Sequence, residues 1–143
     1  AEKTELKAHL RFLVDELAQN LERNRDVTEP RHYAEYSAIF KRFTAFENDR
    51  RITAAGGLLP GTYATTEADA TNVRTGLEAV ARYALPNPKP AIYVFTVKPL
   101  KDAAIRRGIV QSAFGQPGGG VEVLFCDGTA ANTVTGPGKI PER

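Results

Sequence analysis

The chain predicts an α+β fold in which N-terminal helices pack on a twisted, four- to five-stranded antiparallel sheet. Three observations lead there. Leucines recur at helical spacing in the opening residues, the texture changes at Gly56-Gly57, and short β-branched and aromatic runs between turn signals fill the rest. With 143 residues and 42% apolar content, the chain reads as a single domain, helical over 1–55 and sheet-bearing over 56–143.

Leu6, Leu10, Leu13, Leu17 and Leu21 share one face of a helix from about residue 3 to 24. Thr28 then reads as the N-cap of a second helix, with Glu29 and Pro30 in its first turn. Tyr33, Tyr36, Phe40, Phe43 and Phe46 form an aromatic stripe along it, the pattern of a core face. Residues 58–64 read as a short extended segment and the polar residues 65–74 as a loop. Thr75 and Glu78 match a capping box for a helix through Leu77, Val80, Ala81 and Ala84, which the prolines at 86, 88 and 90 stop. Residues 91–97 are apolar on both faces, as in a central strand. Strands at 108–113, 121–126 and 132–135 complete a meander, and Gly136-Pro137-Gly138 ends regular structure.

Composition narrows the chemistry. A single cysteine, Cys126, excludes a disulfide framework, and its apolar surroundings suggest a buried hydrophobe. Two histidines and one cysteine, widely dispersed, supply no zinc ligand set, so no metal or other cofactor is expected. There is no G-x-S-x-G elbow, Walker loop or Rossmann fingerprint. No apolar run approaches the ~20 residues of a membrane span. The net charge of +2 is nearly neutral, but Lys89, Lys98, Lys101, Arg106 and Arg107 face only Asp102, a stripe suited to a polyanion. The chain lacks methionine and begins at Ala1, from which a piece of a larger protein is expected.

The richest segment runs from Phe114 to Val123. A glycine-dense loop, whose amides can approach a phosphate closely, leads into an apolar strand carrying one carboxylate, Glu122. With no histidine in the sheet half, charge stabilisation must carry any reaction there. One chemistry is that of a ribonuclease. Glu122 takes the 2′-hydroxyl proton, Lys98, Arg82 or Arg106 offsets the phosphorane charge, and Thr133 positions a phosphate oxygen. Gln116, Gly118, Gly119 and Tyr63 join Arg106 as candidate substrate contacts. The other is rupture of a nicotinamide N-glycosidic bond through an oxocarbenium-like state, with Gln116 and Glu122 as positioners and Arg82 on the diphosphate.

Two family resemblances bear on the choice. Leu59-Pro60-Gly61-Thr62, Ala81-Arg82-Tyr83-Ala84-Leu85-Pro86, Phe114 to Glu122 and Gly136-Pro137…Ile140-Pro141 resemble the C-terminal toxin regions of filamentous haemagglutinins, the effectors of contact-dependent growth inhibition and other polymorphic toxin systems. That resemblance implies secretion as the end of a large cell-surface protein, action in the target-cell cytoplasm, and a cognate immunity protein. It further implies a transfer-RNA nuclease of barnase, colicin or RelE-like architecture, in some cases with a host factor. Leu59-Pro60-Gly61-Thr62, Arg82-Tyr83-Ala84-Leu85-Pro86, Lys98-Pro99-Leu100 and Ala113 to Gly120 also resemble the order of motifs in the necrotizing-toxin family of NAD glycohydrolases, whose functional glutamine Gln116 would match. That family's Asp-Arg-Phe/Tyr-Gly segment is replaced by Tyr63-Ala64-Thr65-Thr66. A ribonuclease toxin is the first expectation, an NAD(P) glycohydrolase toxin the second, and a non-enzymatic delivery module the third.

Overall fold

The computed structural model describes residues 26–100 and 103–143, with Lys7, Leu10 and Val14 alone before them. The leucine-faced helix expected over 3–24 therefore lies outside the described residues, apart from those three helical positions. Seven strands form one antiparallel sheet: β1 His32–Tyr33, β2 Phe40–Thr44, β3 Thr62–Thr66, β4 Tyr93–Val97, β5 Ala104–Ile109, β6 Val121–Phe125 and β7 Val134–Lys139. Two short helices, α1 Glu67–Ala70 and α2 Gly76–Arg82, follow β3. Strand order is β1-β5-β6-β3-β2-β4-β7.

The expected second helix is not there. Its aromatic stripe instead spans two strands and a turn at Glu35–Ala38, with Tyr33 and Tyr36 exposed. The aromatic residues that suggested a helical stripe are equally good strand formers. What decides is tertiary: β2 lies between β3 and β4 and finds hydrogen-bond partners on both edges. The sheet consequently has more strands than the four or five expected.

Strand β3 forks the sheet. Thr62, Tyr63 and Ala64 pair with Phe125, Leu124 and Val123 of β6, whereas Thr65 and Thr66 pair with Lys41 and Phe40 of β2. Where β2 and β3 part, the Arg42 guanidinium takes over the ladder's role. Its Nη1 donates to the Tyr63 carbonyl at 2.7 Å while its Nε donates to Asp49 at 2.6 Å. Arg51 likewise holds the Leu59–Thr62 turn, donating to the Pro60 carbonyl and the Thr62 hydroxyl.

The two faces of the sheet bury different things. Phe40, Val97, Ile105, Val123 and Phe125 form one core with Leu58 and Ala34, centred on an edge-to-face contact of the Phe40 and Phe125 rings at 5.1 Å. The opposite face carries Tyr63 and Leu124 against Val27, and beside them α2 packs through Ala79, Val80 and Tyr83. Gly108 admits the Asp26–Val27 backbone, which lies directly over it. A methyl group there would overlap the Asp26 carbonyl, so Gly108→Ala should cost about 1–3 kcal/mol, read as a shift in urea midpoint. An unchanged midpoint would mean that residues 26–27 are not held against β5.

Strand β7 runs through Gly136-Pro137-Gly138, where regular structure was expected to stop. Proline is tolerated because β7 is an edge strand, paired only with β4 across a register shift between Val94 and Thr96.

Candidate functional site

Helix α2 starts as its sequence dictates. Thr75 Oγ1 accepts the Glu78 amide at 3.1 Å, and Glu78 reaches back to the Arg74 amide at 2.7 Å. The helix delivers Arg82 and Tyr83 to Asp69, which α1 places just beyond the end of β3. Asp69 accepts Arg82 Nη2 at 2.7 Å and Nε at 3.0 Å, and the Tyr83 hydroxyl at 2.9 Å. The Val121 amide donates to the same carboxylate, and Tyr83 also hydrogen-bonds Thr65. Burial alone would raise the Asp69 carboxyl. The hydrogen bonds from Arg82, Tyr83 and Val121 outweigh it and hold the group below the usual carboxylate range. Burial pushes the Tyr83 phenol far up, so it stays a donor at any physiological pH.

Asp69 was absent from the sequence-derived candidates, since a lone aspartate in a polar stretch reads as solvated. One signal was available: Thr66-Glu67-Ala68-Asp69 has capping-box spacing, and the Thr66 hydroxyl does cap α1 by accepting the Asp69 amide.

The glycine loop closes over this knot. The amides of Gly118 and Gly120 donate to the carbonyls of Ala81 and Arg82, and that of Gly119 to Val110. These amides are thus committed to internal carbonyls and do not form the phosphate cradle that the loop's composition suggested. The glycines serve close packing instead: a Cβ on Gly120 would meet the Tyr83 ring at 2.5 Å, and one on Gly118 the Val110 carbonyl at 2.6 Å. At the tip, Ala113 and Gln116 bridge through reciprocal backbone bonds around Phe114 and Gly115, both at positive φ. Gln116 is half-buried at this tip and Phe114 is exposed.

Glu122 follows the loop and is 2% exposed. Alternation along β6 puts it on the face of Leu124, opposite Val123 and Phe125. Its neighbour on β5 is Gly108. On β3, Thr65 follows Ala64, the last residue paired with β6, and alternation turns it to the same face as Tyr63, Leu124 and Glu122. Thr65 pairs with Lys41, Lys41 with Thr96, and Thr96 with Thr135. A polar row therefore crosses the sheet on one face, Glu122-Thr65-Lys41-Thr96-Thr135, with Tyr83 and Asp69 above Thr65.

The remaining candidates are placed elsewhere. Arg106 lies on β5 and donates to the Glu29 carbonyl. Tyr63 is buried beside Leu124, near the row. Lys98 is exposed just past β4, where its amide donates to the Thr133 carbonyl. The Thr133 hydroxyl is buried, bonding the Ala130 carbonyl at 2.7 Å and the Thr129 hydroxyl at 2.8 Å. Arg82 and Glu122 thus share the start of β6, whereas Lys98 and Thr133 share the end of β4, three places away in strand order. Cys126 is half-buried at the rim of the Tyr63–Leu124 cluster. Among the described residues, no three His, Cys, Asp or Glu side chains group as metal ligands, and no helix is long and apolar enough to cross a membrane.

No family model matches this sequence, and no curated protein does. Among solved structures the chain is similar to Tne2, determined in complex with Tni2, with a TM-score of 0.53 and 12% identity over 80% of this chain and 93% of that one. At that identity the likeness is one of fold.

Proposed function

We propose that this chain is an enzymatic toxin domain that hydrolyses the nicotinamide N-glycosidic bond of NAD(P), and that a cognate immunity protein covers its site. The observation that carries the reading is the convergence of separated motifs. Leu59–Thr62 leads into β3 and its Thr65, Arg82-Tyr83 binds Asp69, and the glycine loop anchors to the same helix end and releases Glu122. Leu59–Thr62, Arg82-Tyr83 and the glycine loop are three of the four segments on which the necrotizing-toxin resemblance rests; the fourth, Lys98-Pro99-Leu100, follows β4. A fold shared with Tne2, a protein solved in complex with Tni2, supports a domain that a protein partner covers.

In the proposed reaction water adds to the ribose carbon as nicotinamide leaves with the bonding electron pair. The products are ADP-ribose, nicotinamide and the proton released from water. A cation develops on the ribose in the transition state, and the ionised form of Glu122 would favour it electrostatically. Gln116 orients the substrate from the hairpin tip. The ribonuclease alternative needs Glu122, Lys98, Arg82 and Thr133 around one phosphate, whereas Arg82 and Glu122 lie at β6 and Lys98 and Thr133 at β4, three places away in strand order. Delivery from a large cell-surface protein into a target cell belongs to the same proposal.

The test is to incubate the domain separately with NAD and with total tRNA. Nicotinamide release with intact tRNA is expected. Discrete tRNA fragments with NAD left whole would overturn the proposal in favour of the ribonuclease.

A further inference from the structure

We infer that Lys41 is the group that holds the pyrophosphate of the dinucleotide, an inference that deepens the NAD(P) reading and rests on it. A dinucleotide site needs positive charge, and the obvious sources are committed elsewhere. The amides of Gly118, Gly119 and Gly120 donate to carbonyls. Arg82 forms a two-pronged pair with Asp69, and Arg42 is held by Asp49 and the Tyr63 carbonyl.

Lys41 differs from all of these. Among the described residues it is the one lysine that is not exposed. Its Nζ donates to the Thr96 hydroxyl at 2.9 Å, a neutral partner. An ammonium has three donors, and this half-buried one, with a neutral partner and no counter-charge among the described residues, is partly withdrawn from water at a cost. A phosphate oxygen satisfies both requirements. The position also suits the chemistry. Lys41 lies two strands from Glu122 on the same face, roughly 10 Å at ordinary strand spacing, with Thr65 between them. In NAD the ribose separates the scissile carbon from the first phosphate, so groups acting on the two must be set apart. Phe43, two residues along β2 on the same face, is stacked on Tyr83 with ring centroids 5.6 Å apart and fixes the strand beneath the lysine.

The test uses ADP as the anionic probe and adenosine as its neutral counterpart, with binding followed by calorimetry and by the Lys41 ammonium resonance in NMR. Lys41→Met should weaken ADP binding by about tenfold or more, the value of a single charge-assisted contact, and leave adenosine binding unaltered. Lys41→Arg should restore most of it. In NAD cleavage the KM of Lys41→Met should rise by about the same factor while kcat changes little. If Lys41→Met melts well below the wild type, Lys41→Gln and the wild-type ammonium shift on adding ADP carry the test. Equal ADP affinity in the variants, or an unmoved resonance, overturns the inference. NAD cleavage with an unchanged KM would overturn it while sparing the proposed reaction. Lysine-dependent ADP binding without NAD cleavage would do the reverse.

Discussion

Replacing Asp69 with alanine is expected to remove about 3–5 kcal/mol of stability, the cost of stripping one partner from a buried ion pair. The side chain of Asp69 is 7% exposed and that of Arg82 32%, and the carboxylate also satisfies the Tyr83 hydroxyl and the Val121 amide. Its loss strands the Arg82 guanidinium, the Tyr83 hydroxyl and the Val121 amide at the junction of β3, α2 and β6. Urea unfolding measures it, and a loss below about 1 kcal/mol would show the knot to be incidental. The same carboxyl predicts a pH dependence. Its folded-state value lies below the unfolded one, so the native state binds fewer protons there. The stability it contributes is fully present above the unfolded value, about pH 4, and is lost as pH falls through the folded one. Asp69→Asn should flatten that acid limb.

Glu122→Gln is the corresponding change for activity. The amide keeps the shape of the side chain in its buried site and removes the negative charge available to an oxocarbenium ion. NAD cleavage is expected to drop about 100-fold or more, in kcat rather than KM, with toxicity lost alongside. The melting temperature should stay near that of the wild type, because burying a carboxylate carries a desolvation cost that an amide avoids. Full activity in this variant would take Glu122 out of the mechanism and leave it a structural residue of β6.

What was legible in the sequence is what local chemistry determines. The capping box at Thr75 opened a helix, and residues 93–97 and 121–125 formed the strands their β-branched and aromatic content implied. What escaped depends on contacts distant in sequence. Phe40 and Phe43 lie on opposite faces of β2, one against Phe125 and the other against Tyr83, a division that no helical stripe anticipates. Lys41 between them carried no motif. Its importance comes only from pairing with Thr65 and Thr96, residues 24 and 55 positions away. The glycine loop is visible in the sequence but the inward aim of its amides is not, because composition reveals conformational freedom and not the direction of a donor.

The bonds from Gly118 to Ala81 and from Gly120 to Arg82 carry a mechanical consequence. They rivet the β5–β6 hairpin to the end of α2, so Gln116 cannot swing as an independent flap. On the proposed function, any motion that admits a dinucleotide must carry helix and hairpin together or come from another segment. Cutting either rivet should blur the aim of Gln116 before it unfolds the protein.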